Sequence, residues 1–312
     1  MDDPELVRTT EATSDLAGCW ADYLRPLRFD HWIKNLVVPA GSTLALAAHR
    51  IVPDWGVVGT AGLAFLISGF VSSTNYAINE VLDARFDAQH PVKRERPIPS
   101  GRVRVGPLLV LTAVIALTAF AGATWLFPPA FVLANLALFL AGLLYNVPPI
   151  RLKDWPYLDA LVESLTNPIR LSIGWCAVLP TNLATPPILL LVAVWAFGAF
   201  LMTGKRLAEF RLLGSGAARY RQTFESYSVR ALFGVQLGYA IAAMLALGWF
   251  FASERPQLLR SLPLIALILA WTFKMTFERE SPLIDPEHLY RRPVFLIFSL
   301  ALFAGMVAWA VR

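Results

Sequence analysis

Charged residues are scarce in this chain. Only 16% of its 312 residues are Asp, Glu, Lys or Arg, whereas 56% are hydrophobic. A soluble domain has about a quarter of its residues charged, so this composition excludes an ordinary water-exposed fold. The two cysteines, Cys19 and Cys176, are too few for a disulfide framework or a cysteine-rich metal site. The stretch 1–14 lacks the basic and apolar regions of a signal peptide, so we expect no cleavage.

Long apolar runs are abundant instead. A membrane-spanning helix needs about 20 mostly apolar residues. Runs near this length lie at about 33–50, 56–80, 105–125, 128–146, 158–180, 186–204, 232–252, 259–277 and 293–311. The first run is short because His49 and Arg50 close it. We therefore predict an all-α membrane protein, in which residues 33–312 form a single bundle of about nine transmembrane helices around a central cavity.

Positive charge is distributed unevenly between the predicted loops. The N-terminal segment and the loops after the second, fourth, sixth and eighth helices carry 22 Lys and Arg, and the opposite side carries 4. The positive-inside rule places the first group in the cytoplasm. We expect a multi-pass protein of the cell (inner) membrane with a cytoplasmic N-terminus, an external C-terminus and an active site facing the cytoplasm. Residues 1–32 would be a cytoplasmic segment, with an interfacial amphipathic helix at 16–29. Since the net charge of +5 follows this topology, nucleic acid is not an expected partner.

The most specific motif closes the second predicted helix, where residues 75–87 read NYAINEVLDARFD. On a continuous helix, spacings of three and four residues align Asn79 or Glu80 with Asp83 and Asp87. Such a row is costly at a membrane helix end unless a cation balances it, and Mg²⁺ bridging to a diphosphate does so. We predict that Asp83, Asp87, Asn79 and Glu80 are catalytic and that Asp83, Asp87 and Glu80 hold Mg²⁺. A solvated helix end with ordinary surface acids is the alternative.

A basic, proline-rich segment follows this acidic row. It contains Lys93, Arg94 and Arg96 between prolines at 91, 97 and 99. Fixed cations beside metal-holding acids can clamp a diphosphate, so we expect all three to bind substrate. Ordinary positive-inside charge is the alternative.

These motifs resemble those of the UbiA superfamily of membrane prenyltransferases. That family has N-D-x-x-D-x-x-x-D at the end of its second helix, followed by a basic R-P-I-x-x-G segment. This chain has both, with Glu80 in place of the usual Asp. Its LYNVPPIRLK at 144–153 is similar to the family's Y-S-x-P-P-x-R-L-K. The resemblance extends from about residue 24 to the end and implies that Tyr145, Arg151 and Lys153 contact substrate.

The segment after the sixth predicted helix departs from the family pattern. Ordinary members carry a second Asp-rich motif there, whereas this chain has Lys205, Arg206 and Glu209. Cations in this place favour an anion where a second metal would otherwise lie, so we expect these residues to bind substrate. A simple ion pair between Lys205 and Glu209, one helical turn apart, is the alternative.

A block before the first helix points to one branch of the superfamily. Lys34 and Asn35, together with the Lys-Arg-x-x-Glu at 205–209 and the Glu-Ser-Tyr at 225–227, resemble the decaprenyl-phosphate phosphoribosyltransferase branch. We expect Lys34, Asn35 and the nearby Arg28 to bind substrate. The resemblance implies Mg²⁺-dependent transfer of a 5-phosphoribosyl group from phosphoribosyl pyrophosphate (PRPP) to a polyprenyl phosphate. The alternative for Lys34 is an interfacial anchor. For the whole protein, the main alternative is prenyl transfer from a prenyl diphosphate to an aromatic or other small acceptor. A transporter has weaker support, because no internal repeat is visible.

One strong base, Arg170, lies well inside a predicted helix. An intramembrane charge is a functional hypothesis by default, so we expect Arg170 to hold a phosphate of the donor or the lipid acceptor. A buried structural pair with Glu163 or Asp159 is the alternative.

Overall fold

A computed structural model describes residues 20–89, 93–179, 185–214, 222–284, 289 and 291–311. Within these residues the chain is helical, without strands, and nine helices form the bundle. They are α1 (Val37–Ala48), α2 (Trp55–Asp87), α3 (Val105–Leu126), α4 (Pro129–Asn146), α5 (Leu158–Val178), α6 (Ile188–Leu213), α7 (Val229–Glu254), α8 (Leu262–Thr276) and α9 (Pro293–Val311). The predicted all-α bundle of nine helices is confirmed.

Seven of the described helical stretches are long and apolar enough to cross a membrane, and α1 and α5 are not among them. Helix α1 has only 12 residues, because the preceding Phe29–Leu36 forms a 3₁₀ helix. The predicted run at 33–50 was therefore too long as a single α-helix. Helix α5 has 21 residues, and it carries the charged residues Asp159, Glu163 and Arg170 besides several uncharged polar ones.

Helices α2 and α6 run beyond the ends that hydropathy predicts. Helix α2 continues to Asp87 and α6 continues to Leu213, so both motifs lie on helices and not in loops. The charged residues at these ends form ion pairs, Asp83 and Asp87 on α2 and Arg206 and Glu209 on α6. Gly214, with a φ of 53°, follows α6 in a left-handed conformation that glycine adopts readily.

Close packing of α1 on α5 fixes the centre of the bundle. Ser42 Oγ donates to the Gly174 carbonyl at 2.8 Å. A Cβ added at Gly174 would lie 1.8 Å from the Val38 carbonyl oxygen, so only glycine permits this approach. Small residues bring membrane helices together in this way. The contact holds the start of α1 beside Arg170 on α5.

The segment before α1 contains a short helix, Trp20–Leu24, and a 3₁₀ turn, Arg25–Leu27. Residues 16–19 of the predicted interfacial helix lie outside the described residues. The proposed division at residue 32 stays a prediction.

Candidate active site

A cavity of about 540 Å³ lies between the Phe29–Leu36 segment and helices α2, α4, α5, α6 and α9. One part of its wall is apolar and includes Leu138, Val162 and Leu201. Another part is polar and carries Arg28, His31, Lys34, Asn79, Tyr145, Glu163, Arg170 and Lys205. A second cavity of about 540 Å³, between α1, the start of α2 and Val307, has almost only apolar lining. Only the first cavity offers groups for chemistry on a polar substrate.

Asp83 is bound by two cations from the segment that connects α4 to α5. Arg151 donates to Asp83 Oδ1 at 2.7 Å, and Lys153 Nζ lies 2.7 Å from both carboxylate oxygens. Arg151 has a φ of 33°, which is uncommon for a residue other than glycine, and its bond to Asp154 at 2.7 Å helps to hold that conformation. Burial lowers the pKa of Lys153, and the interaction with Asp83 offsets part of that shift.

The Lys153 ammonium lies in a shell of oxygen atoms. Besides Asp83, it donates to Asn79 Oδ1 at 2.8 Å and to Asn146 Oδ1 at 3.1 Å. Three side chains from α2 and α4 therefore direct oxygens at one cationic centre. An oxygen-only donor set around a cation is the kind that Mg²⁺ prefers.

Asp87, one turn beyond Asp83, is bound by cations from the proline-rich segment. Arg96 donates to Asp87 Oδ2 at 2.5 Å, and Lys93 Nζ lies 3.9 Å from Oδ1. Burial lowers the pKa of Lys93, while Asp87 opposes the shift. Arg94 is exposed and lies 3.4 Å from Glu95. The structure thus brings two of the three predicted clamp residues to the acidic row.

Glu80 is buried beside this row, and its Oε1 has no hydrogen-bond partner among the described residues. Arg28 and Arg96 are the cations that act on its charge. Within the described residues, no three Asp, Glu, His or Cys side chains are grouped as a metal site. The acids are paired with Lys and Arg instead, and the assignment of Asp83, Asp87 and Glu80 as Mg²⁺ ligands stays a prediction.

A second group of acids surrounds Arg206, where α5 meets α6. Arg206 Nε donates to Asp159 at 2.7 Å, its Nη1 donates to Glu209 at 3.1 Å, and its Nη2 donates to Glu163 at 3.4 Å. Tyr227 donates to the other oxygen of Asp159 at 2.6 Å. Burial and the Asp159 charge raise the pKa of the Tyr227 phenol. We call Asp159, Glu163, Glu209 and Arg206 the α5–α6 cluster.

The neighbouring basic residues Lys205 and Arg206 on α6 lie in different surroundings. Arg206 is buried and does not line the cavity, whereas Lys205 lines it and has no ion-pair partner among the described residues. The alternative of a Lys205–Glu209 pair is wrong, because Glu209 binds Arg206. Substrate contact by Lys205 stays a prediction, while direct contact by Arg206 and Glu209 has no support from their positions.

Arg170 makes neutral hydrogen bonds and no ion pair within the described part of the chain. Its Nε donates to Asn35 Oδ1 at 2.8 Å, and its Nη1 donates to Thr166 Oγ1 at 2.6 Å. Ser72 Oγ donates to the same oxygen of Asn35 at 3.1 Å. The alternative of a buried pair with Glu163 or Asp159 is wrong, since both acids bind Arg206. Arg170 therefore presents its positive charge to the cavity without a direct ion pair, although the charge of Glu163 on the same wall acts on it.

Sequence reasoning missed three contributors to the site. Asn146 completes the oxygen shell around Lys153, and Glu163 was considered only as a partner of Arg170. Tyr227 was noted for resemblance alone, and its bond to Asp159 spans 68 residues of sequence. The available signal was the acids at 159 and 163, which are exceptional in an apolar helix and require a cation from elsewhere.

Comparison with known proteins places this chain in a family. The model of the UbiA prenyltransferase family matches residues 36–285. The decaprenyl-phosphate phosphoribosyltransferase of Mycobacterium tuberculosis (strain ATCC 25618 / H37Rv) is 30% identical over 244 residues, covering 78% of each chain. The same-named protein of Mycolicibacterium smegmatis is 31% identical over 246 residues, covering 77% of this chain and 73% of its own.

A solved structure has the same fold. The UbiA homolog from Archaeoglobus fulgidus, bound to GPP and Mg²⁺, superposes with a TM-score of 0.69 at 18% identity, covering 93% of this chain and 98% of that one. At this identity the likeness concerns the fold alone. Because the family model covers most of the sequence and the relatives align over three quarters of it, this chain is a membrane transferase that belongs to the UbiA prenyltransferase family.

Proposed function

We propose that the protein transfers a 5-phosphoribosyl group from PRPP to a polyprenyl phosphate and releases pyrophosphate. The observation that carries this proposal is a surplus of cations in the cavity wall and at the neighbouring end of α2. Lys93, Arg96, Arg151 and Lys153 accompany the acidic row on α2, and Arg28, Lys34, Arg170 and Lys205 line the cavity separately. Glu163 is the only carboxylate among the described residues that line it.

The number of phosphate groups distinguishes the two candidate reactions. Prenyl transfer to an unphosphorylated acceptor brings one diphosphate into the site. Phosphoribosyl transfer brings a diphosphate, a 5-phosphate and the phosphate of the lipid. Lys and Arg side chains bind phosphate oxygens well, so a cavity wall with four cations and one carboxylate suits the substrates with more phosphate groups.

The oxygen atoms at the end of α2 support the proposal of a divalent cation there. Asn79 and Asp83 already direct oxygens at one cationic centre, Asp87 lies one turn on, and Glu80 is close by. We propose that Asp83, Asp87, Glu80 and Asn79 hold Mg²⁺, which would neutralise the charge of the departing pyrophosphate. In that state Lys153, Arg151, Arg96 and Lys93 would turn from the carboxylates to the diphosphate oxygens.

The acceptor needs no catalytic base. Its phosphate is ionised at neutral pH, so an oxygen can attack the anomeric carbon as the bond to pyrophosphate breaks. Arg170, which is held by Asn35 and Thr166, and Lys205 would hold the lipid phosphate or the donor's 5-phosphate. The apolar wall near Leu138 and Leu201 would accept the first part of the polyprenyl chain.

Prenyl transfer is the second candidate, because the whole family shares the motif at the end of α2 and the A. fulgidus homolog binds GPP. A donor comparison separates the two reactions. The purified protein in detergent with Mg²⁺ receives either radiolabelled PRPP and a polyprenyl phosphate, or a radiolabelled prenyl diphosphate and an aromatic acid. We expect a labelled lipid from PRPP alone. Product from the prenyl diphosphate alone would reject the proposal and support the second candidate.

We also propose that the end of the bundle with both acidic groups faces the cytoplasm, as the charge distribution predicts. In a background of Cys19→Ser and Cys176→Ala, single cysteines replace exposed Arg102 or exposed Ser253. An impermeant thiol reagent applied to intact cells should label the Ser253→Cys protein and spare Arg102→Cys. The reverse pattern would contradict the orientation.

A further inference from the structure

One face of α5 presents four polar side chains to the cavity. Glu163, Thr166, Asn167 and Arg170 all line it, at spacings of three and four residues that place them on one side of a helix. Arg170 supplies a positive charge, which the proposed reaction can use for a phosphate. Glu163 supplies a negative charge, which repels a phosphate.

Two hydrogen bonds orient the carboxylate of Glu163. Its Oε2 accepts a hydrogen bond from Tyr145 at 3.2 Å and another from Arg206 at 3.4 Å. Of the three acids on Arg206, its side chain is the most exposed, at 29%, against 0% for Asp159 and 11% for Glu209. It is also the only one of the three that lines the cavity. The α5–α6 cluster therefore holds one carboxylate toward the substrate.

A carboxylate repels the phosphate groups of the substrates, so the substrate group that it can bind is a neutral hydrogen-bond donor. The Arg206 guanidinium contacts all three acids, so a metal ion at Glu163 would lie close to a fixed positive charge. Sugar hydroxyls are neutral donors, and carboxylates commonly bind those of ribose. A prenyl chain has no hydroxyl to offer.

We propose that Glu163 binds the ribose hydroxyls of the donor and so selects a phosphorylated sugar over a prenyl diphosphate. This inference rests on the phosphoribosyl transfer proposed above. A site built to bind a hydroxyl discriminates strongly against an analogue that lacks it, because the polar group of the protein then loses its partner. Glu163 is thus a specificity residue, distinct from the charged groups that hold phosphates.

The test compares PRPP with an analogue that lacks the 2-hydroxyl group, in the presence of a polyprenyl phosphate and Mg²⁺. For the wild type we expect kcat/KM to favour PRPP by about tenfold to a hundredfold, the size of one charged hydrogen bond. In Glu163→Gln, Tyr145 and Arg206 would both donate to the amide oxygen, so an NH₂ group replaces a carboxylate oxygen. The preference should fall to nearly one, through a higher KM for PRPP and an unchanged KM for the lipid.

Glu209→Gln is the matched control, because it removes another carboxylate from Arg206 away from the cavity wall. We expect it to retain the wild-type preference, whatever its stability. If Glu163→Gln does not fold, Glu163→Asp retains the charge toward Arg206 but withdraws it from the cavity, and it should weaken the preference.

The outcomes separate the two proposals. If the folded Glu163 variant retains the wild-type preference for PRPP over the analogue, the role of Glu163 is overturned and phosphoribosyl transfer is left intact. A wild type that uses PRPP and the analogue without the 2-hydroxyl group equally well would also overturn the role of Glu163 and leave phosphoribosyl transfer intact. A wild type that makes no product from PRPP would overturn both proposals.

Discussion

The two acidic groups at one end of the bundle bind cations in different ways. At the end of α2, Asp83 and Asp87 are bound by four cations from two connecting segments. In the α5–α6 cluster, three acids share one arginine, and Asp159 and Arg206 are almost entirely buried. The first group has an excess of positive charge, and the second has an excess of negative charge.

This difference indicates two different tasks. Cations on connecting segments can exchange carboxylates for phosphate oxygens without unpacking a helix, so the end of α2 can change partners when a metal and a diphosphate bind. A buried arginine with three acids cannot leave without exposing charges to an apolar surrounding. The α5–α6 cluster therefore acts as a fixed wall that positions Glu163 and leaves Lys205 directed at the cavity.

Removal of the shared arginine should have the largest effect on stability. Arg206→Gln leaves Asp159, Glu163 and Glu209 without their cation, and breaking a buried pair from one side costs about 3–5 kcal/mol. We expect a much lower melting temperature in detergent, measured by the loss of the monodisperse peak after heating. A melting temperature equal to that of the wild type would show that the cluster is not a structural wall.

Removal of one acid from the α2 row should affect the reaction more than the fold. Asp83→Asn should lower kcat/KM by about a hundredfold or more, because charge stabilisation by a metal contributes several kcal/mol. Its melting temperature should fall much less than that of Arg206→Gln.

The matched control for this change is Glu278→Gln, which breaks a 2.7 Å pair with Arg292 away from the cavity and should retain activity. Full activity of Asp83→Asn, or of the wild type in EDTA, would remove the α2 row from the mechanism.

Lys205 should have an intermediate effect that separates it from its neighbour Arg206. Lys205→Ala removes a cavity cation without breaking an ion pair of the described residues, so the fold should be retained. We expect kcat/KM to fall by about tenfold to a hundredfold, equivalent to about 1.5–3 kcal/mol, and Lys205→Asp to lose more through repulsion. The measurement is KM for PRPP and for the lipid phosphate. Unchanged values for both would exclude contact with either substrate.

The smallest effect concerns Tyr227 at the edge of the cluster. Tyr227→Phe removes the hydroxyl that donates to Asp159 and accepts from the Tyr157 N–H, at a cost of about 1 kcal/mol at neutral pH. The pKa of Tyr227 is raised from an ordinary value of 10.0. A raised pKa in the folded state stabilises the fold below pH 10 and loses that contribution as the pH rises further. The stability difference between the wild type and the variant should therefore shrink above pH 10, and a constant difference would contradict the pKa shift.

Much of the fold could be predicted from hydropathy, since nine apolar runs correspond to nine helices. The exceptions have physical reasons. Helix α1 is short because a 3₁₀ helix replaces its first turns, and α2 and α6 are longer than their apolar runs because ion pairs support their polar ends. Hydropathy measures transfer to lipid and does not register such pairs.

The site could be predicted only in part. The spacing of Asn79, Asp83 and Asp87 placed them on one helix face, but the identity of their partners depends on loop geometry that no local pattern contains. The partner of Arg206 could not be predicted for the same reason, because Asp159 lies 47 residues away in the sequence. A sequence identifies a buried charge as costly without showing which distant residue neutralises it.

The contrast between an exchangeable row and a fixed cluster is tested most directly by metal binding itself. Bound Mn²⁺ can be measured by electron paramagnetic resonance with the purified protein and pyrophosphate, in the wild type, Asp83→Asn and Glu278→Gln. We predict bound Mn²⁺ in the wild type and in Glu278→Gln, and a large loss in Asp83→Asn at equal folded protein. Equal Mn²⁺ binding in all three proteins would contradict the proposed metal site at the end of α2.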